Sequence, residues 1–147
     1  MKSNKKYVFR FMSEKEFNLV TSGNVIVGKR YFKARTNSSG VCFLPAKVEF
    51  YSNGTKYEFS PEQCFEFMSG IVCDEVLVKF EVVDAELTES YGIYADPIDQ
   101  DWFARISIKE LCIPYYDREM LKPVAYAVRD DEGWNWEAKW KWFKYNG

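Results

Sequence analysis

Two β-forming runs flank an Asn-Gly pair in K-V-E-F-Y-S-N-G-T-K-Y-E-F, residues 47–59. Asn53-Gly54 tolerates the positive φ values of a two-residue type I′ turn, so the chain is expected to double back there as a protruding hairpin arm. The same period of two recurs along the sequence. In Y-V-F-R-F-M, residues 7–12, Tyr7, Phe9 and Phe11 share one face while Val8, Arg10 and Met12 share the other. D-E-V-L-V-K-F-E-V-V, residues 74–83, puts Val76, Val78, Phe80 and Val82 on one face. Val41 to Leu44, ended by Pro45, reads as a buried strand, and Ala104 to Pro114 as another. A last hairpin takes Val124 to Val128 as one arm, Arg129 to Gly133 as its turn and Trp134 to Phe143 as the other arm. There Trp134, Trp136, Ala138, Trp140 and Trp142 share a face, opposite Glu137, Lys139 and Lys141.

Helical signals are few and short. Ser13 followed by Glu16 is a capping box that opens a helix through Phe17, Leu19 and Val20, closed at Ser22-Gly23. Ser60, Pro61 and Gln63 open a second helix that ends at Gly70 and buries Phe65. Thr36 to Gly40 is a polar turn, and residues 84–101 read mostly as loop around Tyr91-Gly92-Ile93-Tyr94. Roughly six to eight strands with two short helices define an α+β class built mostly from antiparallel sheets. At 147 residues the chain is read as a single domain.

Composition narrows the chemistry. The 147 residues include no histidine, so no Ser-His or Cys-His nucleophile pair and no imidazole metal ligand can form. Catalysis would have to rest on carboxylates, Arg, Lys, Tyr or hydroxyls. The net charge of -2 gives no overall reason to bind nucleic acid. No apolar run approaches the ~18 residues that a membrane helix requires. Arg10, Glu14 and Glu16 break the first apolar stretch too soon for a signal peptide. Cys42, Cys64, Cys73 and Cys112 form no C-x-x-C pair, and they read as buried thiols of a reducing cytoplasm. Asp99 and Asp101 lack the glycine-bearing loop and following Glu of a calcium site, so no metal is expected.

Three pieces stand out once histidine is excluded: Arg10 on the opening strand, the A-R-T-N-S-S-G-V-C-F-L segment, and Glu110 in I-K-E-L-C-I-P. In this order, over about residues 7–114, they resemble the ADP-ribosyltransferase fold of the Arg-Ser-Glu type. The resemblance implies that Arg10 contacts the phosphates or the nicotinamide-side ribose of NAD. It assigns Ser38 or Ser39 to the nicotinamide pocket and Glu110 to the ribosyl cation. NAD would then be a substrate, and ADP-ribose would pass to a macromolecular target, as in a bacterial or phage effector. An Arg fork suits a pyrophosphate, and a carboxylate stabilises positive charge as it develops on the ribose. Tyr31, Phe43 and Tyr94 are candidates to stack on nicotinamide, although core packing is the simpler reading of each. Thr36-Asn37-Ser38-Ser39 stands where the family has Ser-Thr-Ser, and Ile108 where members that modify arginine carry Gln or Glu.

A second reading needs no chemistry. Arg10 and Glu110 would then face water, Glu86 and Glu89 would be solvated, and the chain would be a non-catalytic binding or inhibitor module. Its contact surface would be the Asn53-Gly54 arm or the Trp-rich hairpin, 124–143, with a protein as partner. Single-stranded nucleic acid is disfavoured there, because Asp130, Asp131, Glu132 and Glu137 offset Lys139, Lys141 and Lys144.

Overall fold

The computed structural model describes residues 5–27, 36–37, 40–52, 54–64, 76–95, 105–129 and 140–146. Among these residues the backbone forms a ten-stranded, curled antiparallel sheet, one α-helix and a separate two-stranded ribbon. The strands are β1 (Tyr7–Met12), β2 (Ile26–Val27), β3 (Thr36–Asn37), β4 (Gly40–Pro45), β5 (Val48–Ser52) and β6 (Thr55–Phe59). They continue with β7 (Val76–Val82), β8 (Thr88–Ala95), β9 (Arg105–Ile113), β10 (Tyr115–Tyr116), β11 (Leu121–Arg129) and β12 (Trp140–Lys144).

β1 is central because both of its faces are apolar. It pairs with β7 along its length and with β4 only at Val8↔Pro45 and Phe9↔Leu44. That short joint divides the sheet into a β12-β11-β7-β1 half and a half built around β9. β9 carries β8 along one edge, while its other edge takes β4 and then β5. Phe9, Phe11, Leu44, Val48, Phe50, Leu77 and Ile108 fill the core on one face of the sheet. Val8, Met12, Phe43, Val78, Phe80, Leu111, Ile113 and Tyr116 fill a second core on the other face.

The helix α1 (Glu14–Thr21) covers the second core with Val20. Ser13 Oγ accepts from the Glu16 N–H, and Gly23 closes the helix at φ +89°, its N–H donating to the Val20 carbonyl. Asn24 N–H reaches the Leu19 carbonyl, completing a Schellman ending that glycine permits. Only the N-terminal half of the expected capping box is used in the usual way, since the Glu16 carboxylate turns inward.

Four expectations need correction. The segment read as loop contains a strand: β8 occupies Thr88–Ala95 and pairs residue by residue with β9, while 96–101 lie outside the described residues. Its sequence, T-E-S-Y-G-I-Y-A, has polar residues at both parities, and among the described residues the strand pairs on one side alone. The second helix is a single 3-10 turn, Glu62–Cys64, among the described residues; 65–70 lie outside them. Gln63 Oε1 accepts from the Ser60 N–H at 2.9 Å, so Gln63 closes the cap as read. The Asn53-Gly54 hairpin exists, with Ser52 opposite Thr55, but it does not protrude freely. Its β5 strand pairs with β9 and buries Val48 and Phe50. The last hairpin is longer on its first arm, with Ala125↔Lys144 to Arg129↔Trp140 in register, and residues 130–139 lie outside the description. A bulge at Val124 absorbs Pro123, which lacks the N–H that a regular ladder would need.

Candidate functional site

Alternation along β1 directs Arg10 toward α1, between Val8 and Met12. There the guanidinium is fully buried and its fork is matched by one carboxylate. Arg10 Nε donates to Glu16 Oε2 at 2.7 Å and Nη2 to Oε1 at 3.0 Å. Nη1 donates to the Cys42 carbonyl at 2.9 Å, tying β1 to β4 where their ladder is short. Tyr116, from the β10 ribbon, donates its hydroxyl to the same Glu16 Oε2 at 2.7 Å. The Phe43 ring lies 5.8 Å from the guanidinium carbon. Burial first, and then the neighbouring Glu16 charge, push the Tyr116 phenol well above its usual range. The result is a bidentate ion pair with a third, neutral donor, enclosed between helix, sheet and ribbon.

Glu110 is also buried, but elsewhere. Ile108 belongs to one core and Leu111 and Ile113 to the other, so the strand's alternation puts Glu110 on the Ile108 face. Arg10 points to the opposite face, with Tyr116 and Phe43. The sheet therefore separates Arg10 from Glu110 and does not bring them to one cleft. Ser38 and Ser39 lie outside the described residues, between Asn37 and its β4 partner Gly40. Phe43 packs edge-on against Phe80 and Tyr116, with ring centroids 5.5 and 5.0 Å away, in the position of a core residue. Tyr31 lies outside the described residues, as do Asp99 and Asp101. Glu89 is exposed and pairs with Lys109 at 3.2 Å.

A second feature was not visible in the sequence. Glu14, Phe17 and Asn18 of α1, Val76 of β7, Tyr126 and Val128 of β11, and Tyr145 line a groove of about 470 Å³. Phe17 packs against Tyr126 at 5.3 Å and Tyr145 at 6.0 Å, and Tyr126 stacks on Phe143. Tyr145 is held by its N–H bond to the carbonyl of Val124, the bulge residue. This wall is the back of the C-terminal hairpin. Trp140 and Trp142 point the other way, onto Phe11 and Phe9. The aromatic spacing from Phe17 to Tyr126 spans more than a hundred residues, so no local pattern announces it.

No protein family matches the chain, and no curated protein or solved structure matches it. Among the described residues no group of three His, Cys, Asp or Glu side chains is placed to hold a metal ion. No helix among them is long and apolar enough to cross a membrane.

Proposed function

We propose that the protein is a non-catalytic binding module that receives a short basic-apolar segment of a partner protein in the α1–β11 groove. The observation that carries this reading is the groove itself: three aromatic side chains beside one carboxylate, Glu14, and no cation among the described lining residues. Aromatic faces and an acidic group together favour a Lys or Arg side chain flanked by apolar contacts. The net charge of -2 likewise favours a basic partner. The competing reading, transfer of ADP-ribose from NAD, needs Arg10 available to a pyrophosphate and near Glu110. Arg10 instead spends its fork on Glu16, so the geometry supports binding over transfer.

An array of immobilised peptides, varied in charge and apolar content, tests this. Basic-apolar peptides are expected to be retained and acidic ones not. Glu14→Gln is expected to weaken retention about tenfold, in line with ~1–2 kcal/mol for one partly desolvated charge contact. Tyr126→Ala is expected to abolish it. Retention that ignores peptide charge, or that survives both substitutions, overturns the assignment.

A further inference from the structure

Cys42 and Cys112 face each other directly in the antiparallel pairing of β4 with β9. Their Sγ atoms are 2.8 Å apart, inside van der Waals contact for two sulfurs. Both residues are buried, at 2% and 1% exposure. Val41↔Ile113 and Phe43↔Leu111 hold the register on either side, so the two thiols cannot slide apart while the ladder is intact. Directly opposed antiparallel residues have Cα atoms about 4.5–5.5 Å apart. A disulfide spans roughly 4.4–6.8 Å between Cα atoms, so the strands need not move to accommodate one.

We propose that Cys42 and Cys112 are a reversible dithiol–disulfide site whose co-reactant is a small disulfide of the glutathione class. One cysteine, as thiolate, attacks a sulfur of the small disulfide; that S–S bond breaks and one small thiolate leaves. The second cysteine, as thiolate, attacks the protein-side sulfur of the mixed disulfide and expels the other small thiolate. The Cys42–Cys112 bond forms, the small disulfide is reduced to two thiols, and those thiols take up the two protons released by the protein. Because both sulfurs are buried, attack waits on local opening of β4 from β9, which makes exchange slow in both directions. A reducing cytoplasm keeps the pair as thiols, and an oxidising shift closes it. The bond would clamp β4 to β9 within the half of the sheet built around β9, beside the Cys42 carbonyl that accepts from Arg10 and next to the short β1–β4 joint. The inference is independent of the groove.

The test equilibrates the full chain in buffers of oxidised and reduced glutathione, quenches with acid, alkylates in denaturant and maps the peptides by mass. The expected product is a Cys42–Cys112 linked peptide and an intact mass lower by about 2 Da. Oxidised protein should melt at least ~5 °C higher than reduced protein, since the bridge closes a long loop. Cys64→Ala should keep both effects, while Cys42→Ala and Cys112→Ala should lose them. Full alkylation of both cysteines in an excess of the oxidised form overturns the proposal. So does a linkage made through Cys64 or Cys73 in their place, and the wild-type map alone distinguishes these outcomes if a variant fails to fold.

Discussion

Arg10 stands in a strand where an aliphatic residue would fill the same space, so its charge must be compensated on the spot. Glu16 supplies the opposite charge through two bonds, and Tyr116 and the Cys42 carbonyl satisfy further polar positions. Removing one member of such a group leaves a buried charge, which costs about 3–5 kcal/mol, whereas replacing the pair with apolar residues can be close to neutral. Arg10→Met and Glu16→Leu are each expected to destabilise by that amount, and the double variant by much less than their sum. Urea unfolding of the four proteins measures the coupling; additive losses would contradict a closed ion pair. Tyr116 makes a pH-dependent contribution of known sign. Its phenol is raised in the fold, so the folded chain holds a proton that the unfolded chain releases near pH ~10. Stability from this group is complete below that pH and is lost as pH rises from the unfolded value toward the folded one. Tyr116→Phe should be less stable at neutral pH, having lost a hydrogen bond to a charged acceptor, yet its melting temperature should fall less between pH 9 and 11.

At the scale of elements, the close approach of β4 to β9 is set at Gly40. A Cβ there would sit 2.3 Å from the Ile113 carbonyl oxygen and 2.6 Å from Pro114 Cα, at φ +108°. Gly54, at φ +78° in the hairpin turn, has open space around the same position. Gly54→Ala is therefore expected to cost only the left-handed strain of about 1–2 kcal/mol. Gly40→Ala must also displace backbone and should cost clearly more, as thermal melts of the two variants can show; equal costs would mean that the strands yield. Hairpins and caps were legible because their chemistry is local: Asn53-Gly54, Ser13, Gly23 and Gln63 each act within a few residues. β8 was not, because its T-E-S-Y-G-I-Y-A lacks a continuous apolar face and becomes a strand only against β9.

For the whole molecule, the decisive information is which face each charged residue takes. Alternation in Y-V-F-R-F-M correctly separates Arg10 from Phe9 and Phe11, and the parity of Trp140, Trp142 and Lys141 holds in β12. Sequence order alone, however, does not relate the parity of β1 to that of β9. Two intervening facts fix it: the Phe9↔Leu44 pairing and the Cys42↔Cys112 pairing. Through them Glu110 falls on the Phe9 side and Arg10 on the other. Glu16 was missed for a related reason, since its position three residues after Ser13 satisfies a capping pattern and conceals its role as the partner of Arg10. The groove was missed because Phe17, Tyr126 and Tyr145 meet only after β7 and β11 have paired.

The most direct measurement is a thermal melt in increasing NAD, read alongside nicotinamide release from the same samples. A ligand present at a hundred times its Kd stabilises by about 2.7 kcal/mol, which would raise the Tm of a chain this size by roughly 5–10 °C. With Arg10 enclosed by Glu16 and Tyr116, no rise and no release are expected at millimolar NAD. A saturating rise together with nicotinamide release that Glu110→Gln abolishes would contradict this, and would require the guanidinium and that carboxylate to meet around a dinucleotide after all.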